Sequence, residues 1–233
     1  MSLLQQGLKI ESIMNNGDCA LTINFIATET RLALIHALCA EFLTEPMPEM
    51  INVIPATTSL TLVFAKQIKH NNIIYDGVLD RVNAVKIHEK ATILHTIPVC
   101  YHPDLAPDLP AVLAALSMQV EALIEMHTAT TYQVSMLGFL PGFAYLNDNH
   151  QALNVMRKAT PSLQVDAGSV AIAGNQTGIY SMASPGGWQV IGRTPLELFN
   201  WHEPEKPMQL NPLDQVVFES ISLNQFLSMK SQA

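Results

Sequence analysis

The sequence predicts an α+β fold in two parts: a ferredoxin-like α+β domain over residues 1–95, then a closed or nearly closed β-barrel over 96–233. Three observations carry that expectation. Strand and helix periodicities alternate through the first hundred residues in the order β-α-β-β-α-β, prolines cluster between 98 and 110, and beyond residue 131 helical periodicity gives way to short strands punctuated by glycine and proline. A length of 233 residues is enough for two modest cores.

Residues 18–26 alternate, with Leu21, Ile23 and Phe25 on one face, the mark of a half-buried strand. Over 29–43, Leu32, Ile35, Leu38, Cys39 and Phe42 recur at three- and four-residue spacing and make an apolar helix stripe, which Glu45, Pro46 and Pro48 terminate. Two short strands follow at 51–55 and 59–64, around an Ala-Thr-Thr turn. A second helix over 72–88 carries Ile74, Val78, Val82 and Val85 on one side, and 91–100 leads out as a strand that completes the split β-α-β unit. Pro98, Pro103, Pro107 and Pro110 then spell a rigid crossing between domains. From 110 to 127 the chain turns helical, with Ser117 as an N-cap and Val120, Leu123, Ile124 and His127 on one face. Strands are expected at 131–138, 169–173, 187–192 and 215–219, with a short final element at Phe226 and Leu227.

Composition limits what the protein can do. Twelve basic residues against 20 acidic ones give a formal charge of -8 with no Lys/Arg cluster, which argues against nucleic-acid binding. Only 14% of residues are charged, low against a typical quarter, so part of the surface is expected to meet a partner. The N-terminal residues lack a basic stretch followed by an apolar run, and the most apolar segment, 32–40, is too short to span a bilayer. A cytoplasmic protein without membrane contact is expected. Cys19, Cys39 and Cys100 are odd in number and far apart, which reads as buried thiols rather than disulfides or a thiolate metal site.

Eight of the 11 glycines fall between Gly138 and Pro195. That block reads GFLPGFAYL, then GSVAIAGNQTGIY, then SPGGWQVIGRTP, a site built on a β scaffold. Pro141-Gly142 and Pro185-Gly186-Gly187 read as type II turns, the second either a tight corner or a pair of amides able to hold an anion. Arg193, isolated on an apolar strand, must pair with a ligand or with one of Asp148, Asp166 and Glu197. Gln176 and Tyr180 offer an amide and a hydroxyl for reading a small polar ligand. Phe139, Phe143, Tyr145 and Trp188 offer an apolar wall, although some of them serve equally well as barrel core. His127 reads either as a general base or as a core histidine. No G-x-S-x-G elbow, H-E-x-x-H or G-x-x-x-x-G-K-[ST] is present, so nucleophilic serine chemistry, zinc proteolysis and P-loop nucleotide binding are unsupported.

The segments 137–146, 167–180 and 184–199 resemble the B-subunit family of 5-oxoprolinase, which includes the KipI inhibitors of sporulation kinases and proteins labelled allophanate hydrolase subunit 1. The resemblance implies an α+β N-terminal domain and a cyclophilin-like β-barrel. It implies a non-autonomous member of an ATP-dependent complex, assembled with a homologous carboxyltransferase-like C subunit and a third, A-type component, that opens 5-oxoproline to L-glutamate by activating the lactam carbonyl. ATP would then be bound at the level of the complex. In that setting Arg193, Gln176 and His127 are the candidate catalytic residues, and Phe139, Phe143, Tyr145, Tyr180, Gly186, Gly187 and Trp188 the candidate substrate-binding ones. Inhibition of histidine-kinase autophosphorylation is the alternative, and prolyl isomerisation rests on barrel analogy alone. The chain departs from the family pattern between its motif blocks. Met156-Arg157 and Pro161-Ser162 stand where two Pro-Arg pairs are expected, and Asp166 and Ser181 each replace a proline.

Overall fold

In the computed structural model, which describes residues 8–68, 72–87, 92–203 and 205–231, the chain divides between residues 91 and 92 into two units. The first contains β1 (Ile10–Asn15), β2 (Ala20–Phe25), α1 (Arg31–Thr44), β3 (Met50–Pro55), β4 (Ser59–Phe64) and α2 (Asn72–Ala84). Its sheet is antiparallel throughout, in the order β1-β2-β4-β3. Leu21, Ile23 and Phe25 of β2 and Leu60, Leu62 and Phe64 of β4 share one buried core with Leu34, Ile35, Leu38 and Phe42 of α1 and Val78 and Val82 of α2. The apolar alternation and the helix stripe therefore meet as their spacing requires.

One strand of this unit departs from expectation. The place beside β2 is taken by β1, and the strand expected to fill it, β5 (Leu94–Val99), joins the second unit instead. The physical reason lies at the edge. β1 has no fully buried residue, so its sequence carries little alternation, whereas β5 is buried over Ile97–Val99. The expected end of the second helix, residue 88, lies outside the described residues.

The second unit continues with α3 (Leu109–Leu116), α4 (Val120–Ala129), β6 (Thr131–Leu137), β7 (Ala144–Asn147), β8 (Ser162–Val165), β9 (Ser169–Ala173), β10 (Gln176–Ile179), β11 (Ser184–Gly186), β12 (Gln189–Arg193), β13 (Gln215–Ser220) and α5 (Leu223–Lys230). Ser117 is not an N-cap. It closes α3 in the left-handed conformation, with φ 51 and ψ 44, and α4 starts from Gln119 after a bend of 93°. Among the described residues no single helix is long and apolar enough to cross a membrane.

Seven strands form one sheet in the order β12-β9-β10-β7-β6-β13-β5, while β8 and β11 make a separate pair. The sheet curls until its two edges meet. Cys100, just past β5, exchanges both backbone hydrogen bonds with Arg193 at the end of β12, at 2.9 and 3.0 Å. Gly192 permits this approach, because a Cβ there would lie 2.7 Å from Val99 Cγ1 and 3.1 Å from the Cys100 carbonyl. A register shift between Val190 and Gly192 bends β12 into place. One face of the curled sheet and the two helices bury Tyr132, Val134, Leu146, Val170, Ile172, Ile179 and Leu123 in a large core; Phe143, Ala171, Tyr180 and Trp188 belong to a second, smaller one.

Closure through Gly192 is testable by urea unfolding. Gly192→Ala is expected to lower stability by about 1–3 kcal/mol, the usual cost of forcing an extra group into a packed site. Gly138→Ala, with nothing within 4 Å of the added methyl, should stay within about 0.5 kcal/mol of the parent. Equal midpoints for the two variants would show that the edges do not depend on this glycine.

Candidate functional site

The segment Gly138–Phe143 folds as two successive tight turns. Leu140 N–H donates to the Gly138 carbonyl at 2.8 Å around Phe139, whose φ is 67, and Phe143 N–H donates to the Leu140 carbonyl at 3.1 Å around Pro141-Gly142. Gly142 has φ 75, as the expected type II turn demands. The Phe139 turn is different in kind. A positive φ at a phenylalanine is strained, and such turns persist where surrounding structure over-determines them. Here the Ser181 hydroxyl donates to the Pro141 carbonyl at 2.5 Å, and Phe199 lies so close to Gly142 that a Cβ would come within 2.8 Å of it.

That strained turn holds the Phe139 ring 62% exposed, edge-on to Phe143 at 5.5 Å and to Tyr180 at 6.4 Å. Phe143 is the hub, with ring centroids 4.7 Å from Tyr145, 5.0 Å from Tyr180 and 5.9 Å from Trp188. Two glycines make room for these rings. A Cβ on Gly178 would stand 2.8 Å from Phe143 Cζ and 2.9 Å from Trp188 Cζ3, and one on Gly186 would collide with the Tyr180 hydroxyl. Gly186 lies in β11 and is not among the positive-φ glycines, so the expected turn there is a strand shaped by side-chain clearance. Burial pushes the Tyr180 phenol pKa up, opposed by a hydrogen bond from the Trp188 backbone.

Phe139, Phe143, Tyr145, Tyr180, Gly186, Gly187 and Trp188 all line one groove of about 250 Å³, together with Arg157, Pro161 and Pro185. The Arg157 guanidinium carbon lies 5.6 Å from the Trp188 ring centroid, which places a cation on an aromatic face inside the groove. Only the comparison with the family pattern pointed to this arginine.

The three candidate catalytic residues are elsewhere. Arg193 lines a second cavity of about 220 Å³ with Asp104, Lys158, Ser162, Gln164, Asp166 and Ser169. Of its three foreseen carboxylate partners it takes Asp166, at 2.9 Å, and its Nε donates to the Ala167 carbonyl at 2.8 Å. Lys158 donates to Asp108 at 2.7 Å and to Ser162 at 2.8 Å. The stretch 157–166 therefore walls both cavities, Arg157 and Pro161 lining the groove and Lys158 and Ser162 the polar cavity. Gln176 lines neither and donates to Asn147 at 2.8 Å. Among the described residues no group of three or more His, Cys, Asp or Glu is arranged to hold a metal ion.

His127 is wholly buried in the larger core, stacked on Phe218 at 4.4 Å, with Tyr101 Oη 2.7 Å from Nδ1 and Thr177 Oγ1 3.5 Å from Nε2. Burial lowers its pKa from 6.5 to about 3, so it stays neutral at ordinary pH and does not reach the groove. This is the core-histidine alternative.

A family model described as carboxyltransferase domain, subdomain C and D, matches residues 12–210. The B subunit of 5-oxoprolinase from Bacillus subtilis (strain 168) is 36% identical over 231 residues, covering 93% of this chain and 95% of that protein. Its counterpart from Haemophilus influenzae is 43% identical over 122 residues, 52% of this chain and 57% of that protein. Among solved structures, TTHA0988 superposes with a TM-score of 0.73 at 32% identity over 87% of this chain, which spans only 40% of that longer one. The urea amidolyase of K. lactis reaches a TM-score of 0.77 at 15% identity, over 96% of this chain and 16% of its own length, and shares the fold.

The burial of His127 sets a pH dependence. The unfolded chain takes up a proton at this residue near pH 6.5 and the folded chain only near 3, so its contribution to stability is complete above 6.5 and drains away as pH falls toward 3. Within that window this one residue should steepen the loss by up to about 1.4 kcal/mol per pH unit. Urea unfolding of the parent and of His127→Gln at pH 7, 6, 5 and 4 should show the shallower slope in the variant; parallel slopes would mean that His127 takes up its proton in the folded state as readily as in the unfolded.

Proposed function

This chain belongs to the B-subunit family of 5-oxoprolinase, with a carboxyltransferase C and D domain, and on that footing we propose that it serves as the B subunit of an ATP-dependent complex that opens 5-oxoproline to L-glutamate. The observation that carries the reading is the joint one of 36% identity along 93% of the chain and a groove of matching chemistry. 5-Oxoproline is a flat five-membered lactam bearing one carboxylate. The groove offers flat aromatic faces for the ring and one cationic side chain, Arg157, for the carboxylate. Gly187 ties the groove to the segment that carries Arg157, because its carbonyl accepts the Lys158 N–H at 2.7 Å.

Binding and orientation are the work this chain's residues do in the proposed reaction. Holding the lactam against Phe143, Tyr145 and Trp188 with its carboxylate on Arg157 fixes which face of the ring carbonyl is open to attack. Carbonyl activation is the part that ATP would supply. Neither of these two cavities fits a nucleoside triphosphate, since each falls below the ~300–1,000 Å³ of typical ligand sites, and the sequence lacks a P-loop. ATP is therefore assigned to a different member of the complex, and no step here runs through it.

A homologous C subunit and a third, A-type component are the proposed partners. The low charge content and the exposed Phe139, Met156, Leu163 and Trp201 support a surface that is covered in the complex. The longer chain of TTHA0988, of which this chain spans 40%, supports the same view.

The test is a reconstituted complex assayed for ATP-dependent conversion of 5-oxoproline. Arg157→Met should lower kcat/KM for 5-oxoproline by roughly 10- to 100-fold, the worth of a hydrogen bond to a charged group, while leaving assembly intact. An unchanged kcat/KM removes Arg157 from the substrate site. No turnover by the fully assembled parent complex overturns the function itself.

A further inference from the structure

The polar cavity has features that its place in the fold does not require. Its two cations are held by carboxylates of different kinds. Lys158 and Asp108 are both largely buried, with side chains 15% and 18% exposed, and Asp108 also accepts the Val190 N–H at 2.8 Å, so that pair is part of the wall. Asp166 is 52% exposed and meets Arg193 through one guanidinium nitrogen, Nη1. Arg193 spends Nε on the Ala167 carbonyl, and its Nη2 has no hydrogen-bond partner among the described residues. Ser169 lines the same cavity and carries a hydroxyl there. Ser162 Oγ accepts from Lys158 and keeps its own proton to give.

We propose that this cavity binds a small oxyanion, a phosphate or carboxylate group, on Arg193, Lys158, Ser162 and Ser169, and that Asp166 stands in for that group on Arg193 when no ligand is bound. The Asp166 carboxylate presents to the guanidinium a negative charge and an oxygen acceptor, as the ligand would. Exchange of one for the other leaves the charge at Arg193 balanced, so no half-buried cation is bared on the way. An ion pair with so exposed a member holds weakly, which makes it displaceable. The donors left over, Arg193 Nη2 and the serine hydroxyls, can be met by oxygen lone pairs of a bound anion. A volume of about 220 Å³ admits phosphate or a short carboxylate. The site is separate from the aromatic groove, and the inference does not rest on how that groove is used.

Calorimetric titration of the full-length chain with inorganic phosphate, and separately with acetate, tests this at low ionic strength. Asp166→Asn should bind at least one of the two anions tenfold or more tightly than the parent, and adding Arg193→Met should abolish the gain. Asp166→Ser repeats the comparison in case the asparagine variant does not fold, with circular dichroism as the check. A gain for phosphate that Ser169→Ala reduces identifies the tetrahedral anion; a gain for acetate alone identifies a carboxylate. Folded Asp166 variants that bind neither anion more tightly than the parent overturn the proposal, as does a gain that survives Arg193→Met.

Discussion

Two backbone hydrogen bonds between Cys100 and Arg193 hold the second unit in the shape its cavities need. They join the first and last strands of the curled sheet, and they form because Gly192 has no side chain to keep the strands apart. The consequences run along the chain from that point. Thr194, next after Arg193, donates its N–H to the Gly168 carbonyl at 2.9 Å, and Gly168 in turn donates to the Tyr180 carbonyl at 2.6 Å. A side chain on Gly168, whose φ is 82, would drive into the Thr194 backbone. The strand end that closes the sheet thus also places Tyr180, whose ring forms part of the groove, and the Arg193 side chain, which reaches back to Asp166. Closure and site geometry share the same few peptide units.

Periodicity revealed elements with one wet and one dry face, and was silent about the rest. Leu21, Ile23 and Phe25 alternate because β2 lies on a core, and the stripe on α1 is visible for the same reason. β1 carries no such signal because an edge strand buries too little to be patterned. β5 reads as a strand but its sheet does not, because a burial pattern says that a strand has neighbours without saying which, and here the neighbour is β13. The aromatic wall was legible because its glycines are costly anywhere a side chain would fit. Gly186 shows the limit of that inference: a glycine announces that a side chain is excluded, and only the fold tells whether the backbone angle or a neighbouring ring excludes it. Arg157 left no mark of its own, since a lone charge in an irregular segment has no period. His127 carried two readings on the same helix face, and burial separated them.

The departures from the family pattern acquire a location. Ser162, where an arginine is expected, and Asp166, where a proline is expected, both line the polar cavity, while Arg157 and Pro161, which keep the pattern, line the groove. One missing cation and one added carboxylate make the polar cavity more acidic than the pattern implies. The groove keeps its cation. Ser162 and Asp166 thus lie on the cavity side of the shared wall, whereas Ser181, also a departure, braces the Pro141 turn beside the groove.

That wall has a further property. Arg157 and Lys158 are covalent neighbours that line different cavities, and so are Pro161 and Ser162. Consecutive Cα atoms stand about 3.8 Å apart, so the step from one chemistry to the other is a single residue. The segment behaves like a reading frame. A substitution alters one side chain on one side, whereas inserting or deleting one residue upstream of it would deliver groove residues to the cavity and cavity residues to the groove. Length, more than composition, is what this stretch of chain has to keep.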